Sequence, residues 1–257
     1  SCTEDFQEMN VNPNAATNVP GTNVLGRSLL TSTYILFGER LDIYYAGTWA
    51  GHTAAIGLGD YEYRVDINNG QWRSMYIAMT YAADAMRLAA EEENDNLYAA
   101  ALTLRAYVAH KASDMWGSVP YSEAFNLEEG VLYPKYDSEP ELYSQFINEL
   151  KTAADMFDVN GKDIGAGDFL FNGDVEKWQK LCNSLRLRVA IRMSGVDEST
   201  ATSVISDVLN NDYPLITSND DNAYFWWPGV PPDQEIWYER VGADDGNKTD
   251  QYRMNHY

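Results

Sequence analysis

A chain of 257 residues with 39 acidic against 18 basic side chains carries a formal charge of −21. That field repels polyanions, which excludes nucleic acid as a partner and disfavours anionic lipid headgroups, while a cationic peptide would be drawn to it. With 45% hydrophobic residues the chain can bury a core, and it holds no run of about 18 apolar residues to span a bilayer as a helix.

Residues 1–21 read as a polar tether, since Asn12-Pro13-Asn14 and Pro20-Gly21 are too rich in turn formers for regular structure. Cys2 sits between Ser1 and the polar run Thr3-Glu4-Asp5. There it is expected to be the acylated first residue of a processed lipoprotein, the alternative being an accidental terminal cysteine. Cys182, the other cysteine, lies in an apolar helical stripe and is expected to be an inert core thiol. Two cysteines supply neither a disulfide framework nor a zinc set.

Residues 22–257 are expected to form one mainly α-helical domain, incomplete at its C-terminus. Leu25, Leu29, Leu36, Phe37, Leu41 and Tyr44 recur near a helical period, and residues 48–71 then break up around Gly51, Gly57, Gly59 and Gly70. Trp72, Met75, Tyr76, Met79, Ala83, Met86 and Ala90 predict a strong helix, with Trp72 on its core stripe. Asn94-Asp95-Asn96 interrupts, and Leu97, Ala100, Ala101, Leu104, Val108 and Met115 resume the pattern up to Gly117. So short a polar break predicts an antiparallel pair, with alanines allowing close approach as in tetratricopeptide hairpins. Ser138-Glu139-Pro140-Glu141 reads as a capping box opening a helix through Leu142, Phe146, Leu150 and Ala153. Asp174 is the expected N-cap of a helix carrying Trp178, Leu181, Leu185, Val189 and Met193. A last helix bears Ala201, Val204, Ile205, Val208 and Leu209, and no series of alternating strands is legible. The connections 48–71, 117–137 and 158–173 are long for a compact domain, and their aromatic content argues for function rather than disorder.

Four stretches together resemble the SusD/RagB family, in its SusD-like starch-binding branch. They are the Cys2-led opening ending Val11-Asn12-Pro13-Asn14, and the run Asp114-Met115-Trp116-Gly117-Ser118-Val119-Pro120-Tyr121-Ser122-Glu123-Ala124. The others are Pro134-Lys135-Tyr136-Asp137-Ser138, and Phe171-Asn172-Gly173-Asp174-Val175-Glu176-Lys177-Trp178 leading into Asn183-Ser184-Leu185-Arg186-Leu187-Arg188. Ser118 stands where the family more often has aspartate. The resemblance implies an N-terminal portion of a longer, non-catalytic lipoprotein on the outer surface of a Gram-negative bacterium. It further implies helical hairpins with long irregular loops, a glycan or sometimes a peptide as ligand, and a TonB-dependent outer-membrane transporter as partner. No cofactor is implied, and the membrane is met through the lipid anchor alone.

Sugar capture needs flat apolar faces for the C–H surfaces and amides or carboxylates for the hydroxyls. Trp49, Asp60, Tyr61, Tyr63, Asn68 and Asn69 in the first long connection offer that mixture. Trp226 and Trp227 head a second aromatic cluster that continues to Trp237 and Tyr238 across a proline-rich segment. Those rings would contact ligand or pack against chain beyond Tyr257. Trp116 and Tyr121 flank a turn that reads as a structural corner or as part of the ligand-facing side. His52, His110 and His256 are scattered without metal-ligand spacing, and no phosphate loop or nucleophile elbow is present. Lys177, Lys180, Arg186, Arg188 and Arg192 are expected to pair internally with the acidic surface. Two other readings remain: a helical-repeat adaptor whose ligand is a protein, and an acid–base glycosidase.

Overall fold

The computed structural model describes residues 19–36, 46–55, 65–126, 129–227, 229–230, 233–235 and 252–254. Helix α1 (Gly21–Leu36) buries Leu25 and Leu29 one turn apart. After the single turn α2 (Gly47–Trp49) and strand β1 (Thr53–Ala55) come α3 (Val65–Glu91) and α4 (Asp95–Trp116). Met75, Met79, Ala82 and Met86 of α3 are buried, and Ala99, Ala100 and Ala101 let α4 press close to its neighbours. Helices α5 (Glu139–Met156), α6 (Val175–Met193) and α7 (Glu198–Asn210) follow. Apart from α2, each helix packs chiefly on the next along the chain, α1 on α3, α3 on α4 and so on to α7. Helix α4 touches α1 and α6 as well, so the core runs along it. Strand β1 pairs antiparallel with β2 (Tyr252–Met254), Thr53 opposite Met254.

The helix starts follow from local chemistry. Asn94 caps α4 by accepting from the Leu97 amide at 3.0 Å, and Asp174 caps α6 by accepting from the Lys177 amide at 3.0 Å. At α5, Glu141 takes both the amide and the hydroxyl of Ser138, at 2.9 and 2.7 Å. One boundary corrects the sequence reading. Asn68 and Asn69 belong to the first turns of α3 and not to a loop. Asp66 near the positive end of the helix dipole favours this early start despite two asparagines and Gly70.

The 158–173 connection is irregular and bound on both sides. Asn96 donates to the Asp158 and Lys162 carbonyls at 2.7 and 2.8 Å and accepts from the Asp158 amide at 2.8 Å. Asn94 donates to the Asp163 carbonyl at 2.8 Å. The Gly167 amide donates to Thr22 Oγ1 of α1 at 2.8 Å, and a Cβ at Gly167 would lie 1.9 Å from the Thr22 carbonyl oxygen. Buried Asp168 then accepts from the Leu170, Phe171 and Gly173 amides and, at 2.8 Å, from Trp178 Nε1 of α6.

The sequence reading of the basic helix holds at three positions. Lys180 pairs with Glu176 and Asp221, Arg186 with Asp207, and Arg192 with Asp114.

Candidate ligand-binding surface

Trp72 stands four residues after Asn68, on the same face of α3. It is half-buried, packs against the core as its helical spacing predicts, and also forms the centre of a cluster that reaches the surface, because α4 brings Trp116 against it. The Trp72 and Trp116 rings meet edge to face at 5.1 Å, and Tyr76 lies 4.9 Å from Trp72. Tyr136 of the 117–137 connection stacks on Trp72 at 6.4 Å and 27°, and is 65% exposed. Trp116 Nε1 donates to Asn68 Oδ1 at 2.8 Å, which ties the two side chains together. Exposed Asn69, Tyr133 and Ser118 belong to the same three segments.

The turn after α4 holds this cluster in place. Gly117 takes φ +74° and its amide closes the helix on Ser113 at 2.8 Å. Asp137 accepts from the Tyr121 and Ser122 amides at 2.9 and 2.8 Å and from the Ser122 hydroxyl at 2.7 Å. Burial works against the Asp137 carboxylate, but the hydrogen bonds from Ser122 and Tyr121 outweigh it and hold its pKa below the usual range. The Tyr76 hydroxyl donates to the Pro120 carbonyl at 2.7 Å, and burial, then Tyr136 and Asp137, push its pKa up so that it stays a donor. Tyr121 is 2% exposed, with its hydroxyl on Glu149 and the Arg105 guanidinium over its ring at 5.4 Å. A ring so enclosed cannot reach a ligand, so Tyr121 is a corner residue.

A second aromatic group lies beyond α7. Phe225 packs edge-on between Phe169 at 6.2 Å and Trp227 at 5.0 Å, and the Trp226 amide donates to the Phe169 carbonyl at 3.2 Å. The Trp226 ring is 73% exposed and borders a cavity of about 500 Å³ that includes Asn172, Lys177, Asp220 and Asn222. Trp49, 47% exposed, sits on α2. Of the residues singled out in the sequence, Asn68 and Trp116 are brought together, Trp226 and Trp227 sit in the second group, and Trp49 stands on its own element. Asp60, Tyr61, Tyr63, Trp237, Tyr238 and Cys2 lie outside the described residues. The sequence reading missed Trp72 and Tyr136. The signal for the first was its i,i+4 spacing from Asn68, and Tyr136 lay inside a motif read only for its family resemblance.

Among the described residues no group of three or more His, Cys, Asp or Glu side chains is placed to hold a metal, and no helix is long and apolar enough to cross a membrane. A family model described as starch-binding and associating with the outer membrane matches residues 23–256. The chain belongs to the SusD-like family. A Bacteroidetes SusD-like structure shares 30% identity with it over 80% of this chain and 39% of its own, with a TM-score of 0.67. A SusD homolog from Parabacteroides distasonis shares 26% over 79% of this chain and 40% of its own, with a TM-score of 0.69. A chitin-binding protein shares 26% over 77% of this chain and 45% of its own, with a TM-score of 0.66. The chain therefore spans less than half the length of these SusD-like structures. A search of curated proteins gives no match.

Proposed function

We propose that this chain is the helical portion of a non-catalytic glycan-binding lipoprotein of the outer-membrane surface, which delivers oligosaccharides to a TonB-dependent transporter. The observation that carries the reading is the partly exposed Trp72–Trp116–Tyr136 surface with Asn68 pinned at its edge. Aromatic faces cover the C–H side of a pyranose, and amide groups bond its hydroxyls. Family membership supports glycan as the ligand class and the outer membrane as the place. Trp49, Asn69, Trp226 and Trp227 belong to the same proposal as further contacts, with Asp60, Tyr61 and Tyr63 beside them. Cys2 is proposed as the lipidated residue, and palmitate labelling lost on Cys2→Ala tests that.

Calorimetric titration of the full chain with malto- and chito-oligosaccharides tests the ligand. One of them is expected to bind, and Tyr136→Ala is expected to weaken it about tenfold, since a stacking face contributes roughly 1.5 kcal/mol. Binding to neither series, or a Tyr136→Ala variant that binds as tightly as the parent, refutes the site. The formal charge of −21 favours one alternative, a cationic peptide as cargo, and such peptides form the second arm of the titration.

A further inference from the structure

A cavity of about 550 Å³ opens between α1, α4, α6 and the segment after α7, and none of its lining residues belongs to the Trp72–Trp116–Tyr136 surface. Leu36, Leu104, Leu181 and Phe225 give it apolar walls, and its volume falls in the range of roughly 300–1,000 Å³ typical of small-molecule sites. Two of the hydroxyls in the wall are committed as donors, and two more accept. Ser32 donates to the Ser28 carbonyl at 2.7 Å, Thr103 to the Ala99 carbonyl at 2.8 Å, and Ser184 accepts from the Ile216 amide at 3.1 Å. The Tyr224 hydroxyl accepts from Asn222 at 2.9 Å.

Arg188 and Tyr107 stand on the same wall. Among the described residues no carboxylate pairs with Arg188, and no group hydrogen-bonds the Tyr107 hydroxyl. Burial raises the Tyr107 pKa, with Arg188 opposing, so the phenol stays protonated and donates. Arg188 is also the one ionised side chain among the described residues that line the cavity. Behind it the field is positive. Lys111 lies 5.9 Å from the Tyr107 ring, and Lys111 and Arg192 share a single carboxylate, Asp114, at 3.8 and 2.8 Å. In a chain with 39 acidic and 18 basic residues, three cations around one acid, counted among the described residues, is a local reversal of sign. Burial, then Arg188, lowers the pKa of Lys111, and an anion placed beside the two would relieve that repulsion.

We infer that this cavity binds a small amphipathic carboxylate, its apolar body among the leucines and Phe225 and its anionic head on the Arg188 guanidinium and the Tyr107 hydroxyl. The positive rim selects against cations, and the apolar walls select against free sugars. Calorimetric titration of the full chain with octanoate, octanol and octylammonium tests it. Octanoate is expected to bind one to one, at least tenfold more tightly than octanol, and octylammonium not to bind. Arg188→Gln is expected to bring octanoate down to the affinity of octanol while leaving octanol and the thermal midpoint unchanged. Tyr107→Phe is expected to weaken octanoate several-fold. No octanoate binding, equal binding of octanoate and octanol, or an unaltered Arg188→Gln variant overturns the assignment. None of these outcomes bears on oligosaccharide binding, which is read with different ligands.

Discussion

Removing the Asp168 carboxylate is expected to cost more than any surface change in this protein. Asp168 is buried and accepts from three amides and one indole at 2.8–3.1 Å, and two of those donors, Phe171 N and Trp178 Nε1, are themselves buried. A hydrogen bond to a charged group contributes about 1.5 kcal/mol net, so four would sum to about 6 kcal/mol. The three amide contacts lie within five residues of Asp168, and water entering a relaxed loop would restore part of their bonding. About 3 kcal/mol is therefore expected for Asp168→Ala, a fall in thermal midpoint of about 6–12 °C at this chain length. Trp178→Phe loses the one indole bond, for about 1 kcal/mol, and leaves part of the fully buried indole's space empty, for about 1 kcal/mol more. Urea unfolding of both single variants and the double variant is the assay. The double variant should fall short of the sum, because the indole bond is lost only once. A loss under about 1 kcal/mol for Asp168→Ala, or full additivity, would show that the carboxylate does not organise this segment.

Gly167→Ala places a Cβ 1.9 Å from the Thr22 carbonyl oxygen, so helix α1 and the 158–173 segment must separate. A loss of about 3 kcal/mol in urea unfolding is expected, and an unchanged midpoint would refute the close approach. His110 is fully buried, and burial, partly opposed by Asp114 and reinforced by Lys111, Arg192 and Arg188, lowers its pKa from 6.5 to about 4. The unfolded chain then takes up a proton near pH 6.5 that the folded one refuses until about pH 4. Stability is present above that window and is lost as pH falls through it, by up to about 3 kcal/mol. His110→Phe should flatten this part of the pH dependence in unfolding titrations between pH 7 and 4. An identical slope in both proteins would refute it.

Periodicity was enough to place the helices, because Met75, Met79, Leu142, Phe146, Trp178 and Cys182 bury one face each. At Trp72 it was right about the core contact but incomplete. A half-buried aromatic keeps the helical spacing of a core residue, and only the approach of α4 makes it part of a surface cluster. Asp174 and the Ser138–Glu141 box were local signals and so legible, whereas the Asn94 cap was read only as a break. Tyr136 was not, since its partner lies more than sixty residues away and no short-range pattern encodes that pairing. At Tyr121 two readings stood open, and the structure takes the corner over the ligand contact. An aromatic in an irregular segment looks exposed until Glu149 and Arg105, from two separate helices, close over it. The loop-holding role of Asn94 and Asn96 was equally invisible, because both read as a simple helix break.

A row of helices in which each touches mainly its neighbours would ordinarily fray from its ends, one unit at a time. The crossing of residues 158–173 back to Thr22 changes that behaviour. Opening α1 releases Gly167, which loosens the Asp168 knot and with it the entry to α6. Helix α1 and the start of α6 should therefore exchange their amide hydrogens together, with a common opening free energy, while α7 exchanges ahead of both.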